Sequence, residues 1–198
     1  MRWSATCCSS TKARRHLIFF MSNTVTDHPL IVTLRLNEGA FEYFNGLRQQ
    51  HFPQERNFLQ AHLTLFHHLP HTEEIKKDLA ACAQAVTGPL RMQVTGLMKL
   101  GGGVAYRLAC PPLQQIHKSL QQQWAPLLTP QDRQALRPHI TVQNKVTAAE
   151  AQNLYLHLQQ SFTPFEASGR GFDLWAYKGG PWQWLRYFHF SDGTDTPE

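Results

Sequence analysis

The chain has 198 residues, 42% hydrophobic and 17% charged, a composition that suits one globular domain or two small lobes sharing a core and excludes a disordered polyelectrolyte. Its net charge of +5 sits at one end: Arg2, Lys12, Arg14 and Arg15 lie in the first 21 residues, which hold no acid, and removing those four from the 19 Lys and Arg leaves 15 against 14 Asp and Glu. A body this close to neutral has no charge-driven affinity for duplex DNA or a membrane surface, and no apolar run approaches the roughly 20 residues that span a bilayer.

Residues 1–21 (MRWSATCCSSTKARRHLIFFM) are acid-free and lack helical or strand periodicity. They are read as a disordered or mis-started extension, because Met21 opens an ordinary polar lead-in; a weak likeness to an organellar transit peptide is the alternative. Residues 22–198 are expected to form a single bilobal domain. The four cysteines, Cys7, Cys8, Cys82 and Cys110, contain no CxxC pair. That pattern points to a reducing, cytoplasmic compartment rather than a disulfide framework or a Cys-based zinc site.

Pro29–Leu36 is β-branched and apolar, a strand. Asn37–Phe52 carries Phe41, Phe44 and Leu47 at helical spacing, with Asn37 as cap. His62–Phe66 is a short strand, and Thr72, followed by two acids, opens a helix. Pro89–Leu100 and Val104–Cys110 are strands joined by a Gly101–Gly103 hairpin turn. A second helix–strand–helix run follows: Pro111–Leu128 with Leu113, Ile116, Leu120, Trp124 and Leu127 on one stripe, strand His139–Val142, then a helix from Thr147 with Glu150 completing a capping-box pattern. Phe165–Tyr177 and Trp182–Phe190 close the chain as strands around a Gly-Gly-Pro turn. The order β-α-β-α-β therefore occurs twice, which predicts an α+β fold of duplicated lobes, related by a pseudo-two-fold, with antiparallel sheets around a central cleft.

The strands H-L-T-L and H-I-T-V hold the same place in each copy, 77 residues apart (139 less 62). Side chains alternate along a strand, so His62 and Thr64 share a face, as do His139 and Thr141, with about 7 Å between successive same-face positions. Two imidazoles and two hydroxyls facing one cleft suit general acid–base cleavage of a phosphate ester: one neutral imidazole accepts a proton, one imidazolium donates one, and the hydroxyls bond phosphate oxygens. No metal is needed.

The paired H-x-T-x strands, with RPHITV carrying the second, resemble the two-histidine phosphoesterase superfamily, and within it the 2′-5′ RNA ligase-like branch that includes cyclic nucleotide phosphodiesterases. The likeness runs from about Leu30 to Phe190. It implies a bilobal two-histidine phosphoesterase fold, a monomer, no cofactor, and metal-independent hydrolysis of 2′,3′-cyclic phosphates of nucleotides or RNA ends, or reversible 2′-5′ ligation. By motif, His62 and His139 would be the catalytic pair, with the base role falling to His139, and Thr64 and Thr141 would bind phosphate. The late LWAYKGGPWQWLRYFHF stretch also fits this branch. Tyr177 would line the cleft or stack on a base, Lys178 would offer charge to a phosphate, and Trp182 is a further candidate contact.

Other readings compete. His62, His67, His68 and His71 could form a metal cluster, but His67 has the opposite strand parity from His62 and Pro70 marks a turn. His117, His157 and His189 read as core or surface groups. Arg35 and Arg107 occupy matching places in the first strand of each repeat, which hints at cleft-lining roles. The same cleft could also serve a non-catalytic nucleotide-binding module, which would have no use for a proton-transfer pair.

Overall fold

The computed structural model describes residues 28–192; the expectations for residues 1–21 lie outside them. Seven strands and four α-helices follow the expected order. They are β1 (Leu30–Leu36), α1 (Glu38–His51), β2 (Leu63–Leu69), α2 (Glu73–Gln84), β3 (Leu90–Lys99), β4 (Val104–Ala109), α3 (Pro111–Gln123), β5 (His139–Gln143), α4 (Ala148–Ser161), β6 (Phe165–Tyr177) and β7 (Trp182–His189). Two elements depart most from their expected bounds. β2 begins at Leu63, just after His62, and runs on to Leu69; α3 stops at Gln123, where the tighter Ala125–Leu127 turn takes over around Pro126 and leaves Leu127 exposed.

The lobes share one antiparallel sheet of order β2-β1-β6-β3-β4-β5, with β7 added beside β6. Each lobe takes its third strand from the other repeat: β6, late in the chain, pairs with β1, and β3, from the first half, pairs with β4. The two exchanged strands then pair with each other at the centre. The pseudo-two-fold thus passes between β3 and β6, and neither repeat can close its sheet alone. β2 and β5 stand at opposite ends of this order, yet they come within 8 Å of each other, Cα to Cα. The curled sheet brings the two histidine-bearing edges together.

β1 is buried on both faces, with Leu30, Val32 and Leu34 in the main core and Ile31 and Thr33 buried between them, while on β2 Leu63 and Leu65 face the core. Helix α1 buries Ala40, Phe44 and Arg48 on one stripe and packs on β5 of the other lobe. Its Asn37 does not cap through its side chain. The side-chain oxygen accepts instead from the Ser168 amide of β6, at 2.8 Å, tying helix start to sheet. Thr72 and the Thr147–Glu150 capping box do cap α2 and α4. In the β3–β4 turn Gly101 adopts φ of 76°, and a Cβ on Gly103 would lie 2.0 Å from the Gln143 carbonyl oxygen, so only glycine lets the turn press against the end of β5.

Edge β2 is secured from outside. The buried Asp132 carboxylate accepts the backbone N–H groups of His67 (2.8 Å) and His68 (3.0 Å) and the Thr129 hydroxyl (3.1 Å). Burial alone would push its pKa up; the bonds from His67 and Thr129 outweigh that and hold it low.

Candidate active site

His62 precedes β2 and His139 opens β5. The rings are held in the same way. His62 Nδ1 donates to the Gln60 carbonyl (2.7 Å), and His139 Nδ1 donates to the Arg137 carbonyl (2.8 Å), each two residues back. A carbonyl can only accept, so Nδ1 carries the proton and a neutral ring presents its lone pair at Nε2. Thr64 and Thr141 follow two residues on, half-buried, with no partner for either hydroxyl among the described residues.

Both edge strands are braced by a helix of the opposite repeat. Arg48 of α1 sends one bond to the Thr141 carbonyl (3.0 Å) and others to Asn57 Oδ1 (2.9 Å) and the Leu59 carbonyl (2.8 Å), while lying over the Phe52 ring. It joins β5 to the segment that leads into His62. His117 of α3 bonds the Leu65 carbonyl of β2 (3.0 Å) and stacks on Phe66. Arg48 is 5% exposed and has no carboxylate partner among the described residues; burial lowers its pKa to about 10. The His62 pKa is depressed to about 4. Desolvation is the main cause, the Gln60 carbonyl opposes it, and the positive charges of Arg48, His67 and His139 add to it. Part of His62 still faces the cleft; the crowding of its ring by protein, not full enclosure, sets the shift.

A cavity of about 710 Å³ opens beside His62. Trp182 lies against the His62 ring at 4.8 Å between centroids, and Trp175 meets Trp182 edge-on at 6.2 Å. Trp175 is fixed by its N–H bond to Thr33 Oγ1 (2.9 Å). Phe58, 66% exposed, lines the mouth. Arg35, also in the lining, forks onto Asp173, which also accepts from Trp184 Nε1 (2.9 Å). Thr64 of β2 and His139 and Thr141 of β5 are outside this cavity's lining. Tyr177 ends β6, 40% exposed and also outside the lining; its cross-strand partner Trp182 is within it.

Of the histidine cluster, His67 turns to Asp132 (3.3 Å), and among the described residues no group of three or more His, Cys, Asp or Glu is arranged to hold a metal. No described helix is long and apolar enough to cross a membrane.

Sequence reasoning passed over Arg48 and Asp173. Arg48 falls four residues after Phe44 and eight after Ala40, on the buried stripe, a position where an arginine signals an internal partner. Asp173 is an acid inside the apolar run Phe172–Ala176 of β6, the same kind of signal.

A family model described as the 2′-5′ RNA ligase superfamily matches residues 37–181. Among solved structures, TT0787 of Thermus thermophilus is 17% identical over 82% of this chain and 97% of its own, with a TM-score of 0.55. A phosphoesterase is 19% identical over 83% and 99% (TM-score 0.53), and E. coli LigT complexed with NADP+ is 19% identical over the same shares (TM-score 0.52). At these identities the likeness is one of fold. No curated protein matches the sequence.

Proposed function

The chain belongs to the 2′-5′ RNA ligase superfamily, and from that premise we propose that it is a metal-independent phosphoesterase that opens 2′,3′-cyclic phosphates of nucleotides or RNA ends. The observation that carries the reading is the matched pair of histidines, each locked at Nδ1 by the carbonyl two residues back and each followed by a threonine hydroxyl with no partner among the described residues. That pairing supports two opposed proton-transfer groups around one phosphate.

In the proposed reaction, water attacks phosphorus while a neutral Nε2 takes its proton. The bond from phosphorus to one ribose oxygen breaks, and the imidazolium on the other side protonates that oxygen. Thr64 and Thr141 donate to the non-bridging oxygens, where charge accumulates. Solvent returns both rings to their starting states. The family likeness favours His139 as base; the desolvation of His62, which keeps that ring neutral, supports the reverse. The nucleobase stacks on Trp182, in the aromatic cavity beside His62, rather than on Tyr177. E. coli LigT, of the same fold, has been captured with the nucleotide NADP+.

The pH profile tests this assignment. A base whose pKa is lowered stays competent down to that value, so the acid limb of kcat/KM on 2′,3′-cyclic AMP is expected well below 6.5, towards about 4. The bound phosphate anion raises the same group, so the acid limb of kcat lies higher. An acid limb of kcat/KM at or above the ordinary histidine value would contradict His62 as base, and a flat profile would contradict the pair altogether.

A further inference from the structure

The pseudo-two-fold sets an arginine beside each motif histidine. On β4, Arg107 stands directly opposite His139 of β5. On β1, the register pairs Thr33 with Thr64 and Leu34 with Leu63, and Arg35 and His62 are the next residues beyond its last pair. Opposed residues of an antiparallel pair project to the same side, with Cβ atoms roughly 4.5–5.5 Å apart. Each motif histidine therefore has an arginine at the matching place on the adjoining strand, and Arg107 is the direct cross-strand partner of His139.

The two guanidiniums differ in what surrounds them. On its other flank Arg35 faces Gly171 of β6, and Asp173, two residues further on and opposite Thr33, takes its fork. The Tyr187 ring lies under it at 3.8 Å. Arg107 faces Gly96 of β3 in the same way, but the residue two further on, opposite Ala105, is Met98. The acid that neutralises the first arginine is absent from the second lobe. Arg107 is exposed, and its guanidinium has no hydrogen-bond or ion-pair partner among the described residues. Arg137, whose carbonyl holds the His139 ring, is exposed too, and its guanidinium is equally unpartnered among the described residues. Among the described residues, the aromatic strand β7 has no counterpart in the second lobe. The cleft is thus aromatic and charge-neutralised at the His62 end and cationic at the His139 end.

We propose that Arg107 forms a second phosphate subsite on the His139 side, so that the substrate carries a phosphate beyond the one being cleaved. This rests on the nucleotide reading above and narrows it, from a bare cyclic mononucleotide to a 5′-phosphorylated nucleotide or the end of a short oligonucleotide. A guanidinium with no internal partner has no bond to give up when a phosphate arrives, and its planar fork matches that group.

The test compares two probes that differ by one phosphate, 2′-AMP and adenosine 2′,5′-bisphosphate, by titration calorimetry with wild type, R107Q and R107K. The bisphosphate is expected to bind wild type about tenfold more tightly. R107Q is expected to erase that advantage without weakening 2′-AMP, and to reduce the salt slope for the bisphosphate by about 1. R107K keeps part of the advantage. Arg107 is exposed, so a thermal melt of R107Q matching wild type accompanies the comparison. If both probes bind and R107Q leaves their ratio and the salt slope unchanged, the subsite is wrong while the nucleotide reading stands. If neither probe binds wild type, both fall.

Discussion

Alanine in place of His62 or of His139 is expected to lower kcat/KM on 2′,3′-cyclic AMP by about 10²–10⁴-fold, the range that one positioned acid or base supplies. The double variant is expected to be little worse than the poorer single one, because the two rings act on one proton-transfer cycle and their losses do not add. Binding of 2′-AMP should survive, since Thr64 and Thr141 remain. Stability should not fall in H62A: its ring is desolvated, and its one bond is to a carbonyl near the cleft, where water can replace it. Initial rates, calorimetric binding and thermal melts separate these outcomes. A variant that kept the wild-type rate would remove that histidine from the chemistry.

Arg48 is the second large effect. Methionine at this position keeps the apolar stem but removes the bonds to Asn57, Leu59 and Thr141. Three part-buried acceptor oxygens then lose their donor, at a cost of about 2–4 kcal/mol in unfolding free energy. Function should suffer beyond that cost. Arg48 joins the approach to His62 with the backbone of Thr141, so its loss lets the two motif edges drift apart, and a small displacement of a catalytic group lowers the rate. Its charge also helps depress the His62 pKa, so R48M is expected to move the acid limb of kcat/KM to higher pH. R48K, which restores charge without the fork, should recover the pH limb more than the stability. Denaturant titration and pH profiles of the two variants check this. Wild-type stability with an unmoved limb would mean that Arg48 braces nothing.

Most of this architecture was legible because the local signals agreed with one another. Short β-branched and apolar runs marked the strands, Thr72 and Thr147 marked helix starts, and the triple glycine marked the β3–β4 turn. The recurrence of H-x-T-x in matching places pointed to a shared cleft before any pairing was known. What stayed hidden was long-range. Nothing in the spacing says that β6 pairs with β1 or β3 with β4, because strand partners are chosen by the whole sheet. The cap role expected for Asn37 failed as a side-chain role because Ser168, 131 residues away, claims its oxygen. Tyr177 and Trp182 pair across β6 and β7, and it is the Trp182 ring that meets His62, a contact the spacing does not reveal. The partner of His67 was hidden in the same way: it is Asp132, an acid supplied from 65 residues downstream.

The most direct measurement is turnover of 2′,3′-cyclic AMP by untagged protein treated with EDTA, with chromatography that separates 2′-AMP from 3′-AMP and with H62A and H139A alongside. Turnover that survives the chelator, yields a single isomer and disappears in both variants is the expected result. Turnover abolished by EDTA, or retained when both histidines are gone, would contradict a metal-free histidine pair.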